Sequence, residues 1–308
     1  MDEKNLGQVE LLRQLEERGY RGRVVAIHRL RDLQGEIESR HRAGLFDERF
    51  YRQRLTGFAF EPPKGLPEAR SLIVVAAPQP QVRFTFTWDE ERVGLVVPPT
   101  YLHWQETDGQ IEDLLARVLA PAGYQVAQIA LPKKLLAVRS GLTAYGRNNV
   151  TYVPGMGSFY RLAAFASDLP CPADGWQEAA MMERCQTCRA CLHNCPTGAI
   201  TAERFLLHAE RCITFHNEEP GDVPFPAWMD PAWHNCLVGC LHCQSVCPEN
   251  KDVLASVEDG AEFTAEETAL LLDGVSLDRL PAAMAEKLQR WDLVDLLDVL
   301  PRNLQVLL

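Results

Sequence analysis

The sequence predicts an α+β body followed by a cysteine-bearing domain and a short helical tail. Three observations carry this reading. Segments with strand and helix signatures alternate as far as about Leu169. The proline-rich stretch LPCPADGW (169–176) then breaks the pattern. Nine of the ten cysteines fall between Cys185 and Cys247. The expected domains are therefore 1–175, 176–252 and 253–308.

Taken in order, LGQVELLRQLEERGY (6–20) spaces its apolar residues for a helix that stops at Gly19. RGRVVAIHRL reads as a short strand, and LQGEIESRHRAGLFDERFYRQRL as one or two polar helices. SLIVVAAPQP is a continuous apolar run bounded by proline, as a buried strand requires. DGQIEDLLARVLAPAGY is an amphipathic helix ending at Pro121, YQVAQIAL a strand, and LLAVRSGL a short helix closed by Gly141. NNVTYVPGMGSFYRLAAFASDL reads as two strands around a glycine-rich turn. Near the end, PAAMAEKLQRWDLVDLLDVLP is amphipathic and suited to packing on the body.

The chain has 308 residues and a formal net charge of −11. That balance argues against a broad phosphate-gripping face, so nucleic acid is not an expected partner. The segment MDEKNLGQVELLRQLEERGY has no apolar export signal, and no apolar run reaches membrane-spanning length. The expectation is a cytoplasmic protein that uses clustered cysteines for metal or redox work and does not engage a membrane.

Those cysteines carry the most specific signal. RCQTCRACLHNCPTGAI sets Cys185, Cys188, Cys191 and Cys195 at C-x2-C-x2-C-x3-C followed by proline. Such a loop wraps three thiolates around one face of a four-iron cube, and the fourth serves the other cluster of a pair. A second set, Cys236, Cys240, Cys243 and Cys247, again closes with Cys-Pro. Four-cysteine zinc sites favour separated C-x2-C pairs and match less well. The exchange rule gives one 4Fe–4S cluster Cys185, Cys188, Cys191 and Cys247. The other takes Cys195, Cys240 and Cys243 with either Cys212 or Cys236, and spacing alone slightly prefers Cys236. Cys171, in the break, reads as a structural thiol.

The body before the cassette is where the electrons should go. No G-x-G-x-x-G follows a strand. From Leu114 to Ser167 there is no Asp or Glu, while Arg117, Lys133, Lys134, Arg139, Arg147 and Arg161 lie within it, interleaved with Gly141, Gly146, Gly155 and Gly157. A basic, glycine-rich, acid-free segment suits close backbone approach to an anionic cofactor or substrate. The cofactor-binding candidates are Lys133, Arg139, Gly141, Gly146, Asn148, Gly157 and Ser158.

Several stretches together resemble the epoxyqueuosine reductases, corrinoid and iron–sulfur enzymes of queuosine formation in tRNA. They are LPEARSLIVVAAPQP, LAVRSGLTAYGRNN, GSFYRLAAFASDLPC, the first cassette with CPTGAI, RCIT (211–214) and GCLHCQSVCPEN. FTAEETALLL and PRNLQVLL near the end are similar too. The resemblance implies a nitroreductase-like, cobalamin-binding domain, related to that of reductive dehalogenases, ahead of a two-cluster bacterial ferredoxin-like domain. It also implies Cys212 as the eighth ligand, with Cys236 as an extra.

Two departures stand out. The family's acidic residue, in a V-D-S-A-P stretch, has no counterpart in AQIALPKK, and no carboxylate is expected near it. The family's helical tRNA-binding extension has no counterpart after Leu308. These departures point to a paralogue that keeps the electron chain and changes the substrate. The expectation is a reductase whose clusters reduce a bound cobalamin that acts on a small molecule rather than on epoxyqueuosine-tRNA. Tyr145 and Tyr152 are the proton-donor candidates, with Arg147 or Lys133 beside a phenol. The alternative is an electron carrier that activates the corrinoid of a partner protein. Either version takes electrons from an external donor of ferredoxin or flavodoxin type.

Overall fold

The computed structural model describes residues 3–308, with side chains from Gly7 onward. The first two residues of the segment read as lacking an export signal lie outside the described residues. The chain forms two compact units, one of residues 1–78 and 104–188 and the other of 79–103 and 189–308.

The first unit begins with α1 (Glu3–Glu17), β1 (Arg21–Ala26), α2 (Arg29–Arg42), α3 (Glu48–Arg54) and β2 (Ser71–Pro78). The chain then crosses the second unit as β3 (Gln81–Trp88) and β4 (Glu91–Val97). It returns as α4 (Trp104–Leu119), β5 (Val126–Gln128), α5 (Lys133–Arg139), β6 (Ala144–Tyr145), β7 (Thr151–Tyr152) and β8 (Tyr160–Ser167). The alternation read from the sequence is present, and Gly141 ends α5 at φ +74°.

The sheet of the first unit runs β1-β2-β8-β5 with every pairing antiparallel. β2 lies at its interior, and its first seven residues, Ser71 to Ala77, are all buried. Side chains alternate across a strand, so successive residues serve opposite layers. Leu72, Val74 and Ala164 pack with Leu30, Leu33 and Ile37 of α2 and Leu135 and Leu136 of α5. Ile73, Val75, Ala163 and Phe165 pack with Leu11 and Leu15 of α1 and Ile111 and Leu115 of α4. α4 fits one face because its buried residues, Asp108, Ile111, Leu114, Leu115 and Leu119, recur at helical spacing. The polar member of that stripe is Asp108.

In the second unit β3 pairs antiparallel with β4 through a turn at Asp89 and Glu90, both at positive φ. After the short helices α6 (Ala190–Asn194), α7 (Ile213–Asn217) and α8 (His242–Ser245) comes β9 (Val257–Phe263). β9 pairs parallel with β3 and completes the three-stranded order β4-β3-β9. The region expected as a helical tail therefore opens with a strand. α9 (Ala265–Leu272), held by a capping box between Thr264 and Glu267, follows it, then α10 (Ala282–Arg290) and α11 (Leu300–Gln305). Their apolar faces bury Leu271, Met284, Leu288 and Leu304 with Phe84, Phe86 and Phe263.

Candidate redox site

All ten cysteines are free thiols. The division between the two units falls inside the first cassette, between Cys188 and Arg189. On the first-unit side, Cys185 lies in a short 3-10 turn, Glu183–Gln186. That lead-in is tied to the body: Tyr145 N–H donates to Ala180 O at 3.1 Å and Met182 N–H to Tyr145 O at 2.8 Å. Arg147 donates through Nη2 to Cys185 O at 2.5 Å and through Nε to Cys188 O at 3.4 Å.

On the second-unit side, Cys191 lies within α6 and Cys195 caps its end, and Cys212, Cys240, Cys243 and Cys247 lie on the following turns and helices. Cys195, Cys212 and Cys240 feel one another electrostatically, and Cys240 also feels Cys236. Burial pushes the thiols of Cys212 and Cys240 upward and that of Cys236 up to about 12. Buried thiolates require compensation, and backbone N–H groups are aimed at them: Thr214 and Phe215 at Cys212, Leu241 at Cys236 and His242 at Cys240. Thr197 Oγ1 lies 3.5 Å from Cys195 Sγ.

This donor set fits a four-iron cube, which spreads thiols around a body larger than one ion. Among the described residues, no group of three or more His, Cys, Asp or Glu could hold a metal ion on its own. Beside Cys212 and Cys236, the part-buried Tyr101 donates through its hydroxyl to Glu218. Its ring lies over Gly239, where a Cβ would meet Tyr101 Oη at 2.6 Å. Gly239 has φ +72°, so glycine is required there for both reasons.

The other residues singled out in the sequence gather in the first unit around α5 and the β6–β7 turn. Tyr145 and Tyr152 are both buried, and burial pushes the Tyr145 phenol up to about 12. Asn148 Nδ2 donates to Tyr152 Oη at 2.9 Å, and Asn148 Oδ1 accepts from Val150 N–H at 3.2 Å. Gly146 is fixed by the same cluster, because a Cβ there would meet Asn148 Oδ1 at 2.4 Å and the Tyr152 ring at 2.6 Å. Gly157 has φ +56°, and Ser158 is buried next to it.

The charges are arranged differently from the sequence expectation. Arg147 is directed to the cassette carbonyls. Lys133 Nζ lies 3.5 Å from Asp108 Oδ2, and Arg161 clamps the same carboxylate. Arg139 donates to Glu178 at 2.9 Å, approaches Glu36 at 3.6 Å and stacks on Trp176. Lys133, Arg139 and Arg161 of the acid-free segment are thus met by carboxylates from other parts of the chain. The expectation that no carboxylate lies near AQIALPKK is corrected by Asp108. That residue was missed because α4 brings it in from outside the segment, and its only sequence signal was a carboxylate on an apolar helical stripe.

Residues 184–250 match the family model of the 4Fe-4S double cluster binding domain. Over 171 residues the chain is 34% identical to an epoxyqueuosine reductase of Synechococcus sp. (strain RCC307), covering 52% of this chain and 50% of that one. It is 33% identical over 142 residues to the epoxyqueuosine reductase of Yersinia pestis, covering 46% and 33% respectively. Epoxyqueuosine reductases are its homologues. The chain spans half or less of the length of these curated relatives.

The fold agrees. The epoxyqueuosine reductase of Bacillus subtilis superposes with a TM-score of 0.66 at 22% identity, covering 98% of this chain and 80% of that one. An epoxyqueuosine reductase solved with an epoxyqueuosine-modified tRNA stem loop gives a TM-score of 0.59 at 23% identity, covering 81% and 67%. The architecture is a mixed α+β fold of the epoxyqueuosine reductase kind with an iron–sulfur cluster domain.

These findings correct two expectations. A reaction confined to a small substrate, away from epoxyqueuosine-tRNA, is overturned by homologues that are themselves epoxyqueuosine reductases. The exclusion of nucleic acid is overturned by the same relatives and by the neighbour holding a tRNA stem loop. The physical reason is that net charge sums over the whole surface, whereas nucleic acid can be held by a local site.

Proposed function

We propose that this chain is an iron–sulfur reductase that deoxygenates an epoxyqueuosine-type nucleoside in tRNA, in the cytoplasm, with two 4Fe–4S clusters and a cobalamin as cofactors. The observation that carries this reading is the paired Cys-Pro cassette of residues 184–250 within a fold of the epoxyqueuosine reductase kind. Cys185, Cys188, Cys191 and Cys247 would hold one cluster, and Cys195, Cys212, Cys240 and Cys243 the other. Support for a further cofactor in the first unit comes from Thr143 Oγ1 and Trp176 Nε1, which are buried without a hydrogen-bond partner. Thr143 is two residues from Gly141 and Trp176 precedes Gln177, whose side chain lies beside that glycine, and an amide-rich group such as cobalamin has the acceptors and donors they lack.

When bound, the clusters and the cobalamin would supply low-potential electrons and a reducing metal centre. The chain supplies the rest. Removing an epoxide oxygen as water consumes two electrons and two protons. Tyr145 holds its proton at Oη through the physiological range, because burial opposes the phenolate. Tyr152 Oη, oriented by Asn148, is the second hydroxyl of the cluster. Arg147 positions the start of the cassette through its carbonyls. Lys133 and Arg139 serve local charge balance and shape, with backbone at Gly141, Gly146, Gly157 and Ser158 able to approach a large cofactor closely.

The test is anaerobic incubation of reconstituted protein with cob(II)alamin, a chemical reductant and tRNA bearing epoxyqueuosine, followed by mass analysis of the nucleosides. The reading expects loss of one oxygen from the modified nucleoside. Intact epoxyqueuosine after incubation with fully loaded protein would overturn it.

A further inference from the structure

The second unit contains a cavity of about 720 Å³. That lies inside the range of about 300–1,000 Å³ common for small-molecule sites. Its wall includes Cys195, Thr197, Gly198, Arg211, Trp228 and Trp233. Three features mark this open cavity. The wall contains a cysteine read above as a cluster ligand. It carries two indoles: the half-exposed Trp228, which packs edge-on against His216 at 5.5 Å, and Trp233, whose backbone carbonyl lies 2.9 Å from His242 Nε2. His216 is itself fixed, with Nε2 2.8 Å from Glu210 O.

The third feature is charge. The Arg211 side chain makes no ion pair or hydrogen bond with the described residues, and it faces Gly198, where an added Cβ would lie 3.7 Å from Nη2. The acidic residue on the wall, Glu210, is engaged by His208 Nδ1 at 3.1 Å. The cavity therefore offers aromatic faces, one uncommitted guanidinium and a wall that includes Cys195. Indoles bind flat π-systems, and a guanidinium binds phosphate. A flat, phosphate-bearing molecule placed against a cluster ligand is suited to electron exchange.

We propose that this cavity binds a reduced flavin mononucleotide, with its ring against Trp228 and Trp233 and its phosphate at Arg211, and that electrons enter the chain beside Cys195. Each transfer takes one electron from the reduced flavin, releases one proton to solvent and lowers the oxidation level of one cluster by one. Two transfers return the flavin to its oxidised form. The proposal rests on Cys195 being a cluster ligand, and it does not depend on which substrate is reduced.

Calorimetric titration of cluster-loaded protein with flavin mononucleotide, riboflavin and adenosine monophosphate tests the site. Flavin mononucleotide should bind, and Trp228→Ala and Arg211→Gln should each weaken it about tenfold or more. Loss of the phosphate, in riboflavin, should weaken binding to the native protein but not to the Arg211→Gln variant. In anaerobic stopped flow, reduced flavin should bleach the clusters about tenfold more slowly in Trp228→Ala, while dithionite bleaches both proteins equally. Absence of flavin binding, unchanged flavin kinetics in Trp228→Ala, or adenosine monophosphate binding as tightly as the flavin would overturn the proposal. The last outcome would make the cavity a nucleobase pocket. Iron content of Cys195→Ala checks the underlying reading separately, since full iron there would refute the ligand assignment instead.

Discussion

Asp108 and Arg161 form a two-point ion pair, with Arg161 Nε 3.0 Å from Oδ1 and Nη2 2.8 Å from Oδ2. The carboxylate comes from α4 and the guanidinium from β8, and both are largely buried. Lys133 closes on the same carboxylate, and Arg161 stacks over Trp104. Removing one partner of a buried pair leaves an uncompensated charge and costs roughly 3–5 kcal/mol. Asp108→Asn should therefore lower the stability of the protein by about 3 kcal/mol, read from its urea midpoint. Lys133→Met should cost much less, because Arg161 still satisfies the carboxylate. Equal effects of the two substitutions would contradict this account.

A second prediction concerns acid. Asp174 accepts from Arg29 Nε and Nη2, both at 3.0 Å, and from Ala26 N–H at 3.0 Å. The Arg29 guanidinium, followed by the backbone donors, holds its carboxyl below the ordinary value of 3.8. A depressed carboxylate contributes stability that is present above its unfolded pKa and lost as pH falls through the folded value. The stability difference between wild type and Asp174→Asn should be constant near neutrality and shrink below pH 3.8. Denaturant melts followed by Trp176 fluorescence, with Trp176 under the same Arg29, would measure it.

The eighth ligand can be settled by counting iron. If Cys212 holds the second cluster, Cys212→Ala should lose about half of the iron per chain, and Cys236→Ala should keep it. Cys236 is completely buried, so its alanine variant should cost stability without costing iron. The reverse pattern would transfer the role to Cys236.

Gly239 offers an independent check on the same region. An alanine there must adopt φ +72° and meet the Tyr101 ring and hydroxyl, which are hydrogen-bonded to Glu218. Overpacking and left-handed strain together should cost roughly 2–4 kcal/mol. Gly239→Ala should also reduce iron retention, since Cys240 follows directly. Gly155→Ala has φ +81° and open space around it, so it should show the strain alone.

Much of this was legible in the sequence, for a physical reason. Cluster ligation imposes fixed spacing on consecutive cysteines, so both Cys-Pro cassettes stand out without any fold. The buried strand at Ser71–Pro78 and the helix Trp104–Leu119 were legible because each has one continuous apolar surface. What escaped was non-local or weakly patterned. The β3–β4 hairpin turns at Asp89–Glu90 rather than at a glycine pair, so the usual turn signal is absent. β9, VEDGAEF, is acidic and short of β-branched residues, and it forms only because β3 is there to pair with it. Asp108 lay in plain view but its partners are 25 and 53 positions away. The acid-free run therefore gave no sign that Lys133, Arg139 and Arg161 are paired with carboxylates from outside it.

The return of β9 to β3 has a consequence for anyone dissecting the chain. β3 precedes the first cysteine of the cassettes and β9 follows the last, so the strand pairing works as a clasp on a bracelet. Phe263, at the end of β9, stacks on Phe86 of β3 with ring centroids 4.9 Å apart. A fragment cut from Arg184 to Asn250 would keep all eight proposed ligands and resemble a small ferredoxin on paper. It would also open the clasp, leaving Leu237 and Val238, just ahead of Cys240, without the phenylalanines of β3 and β9 on which they pack.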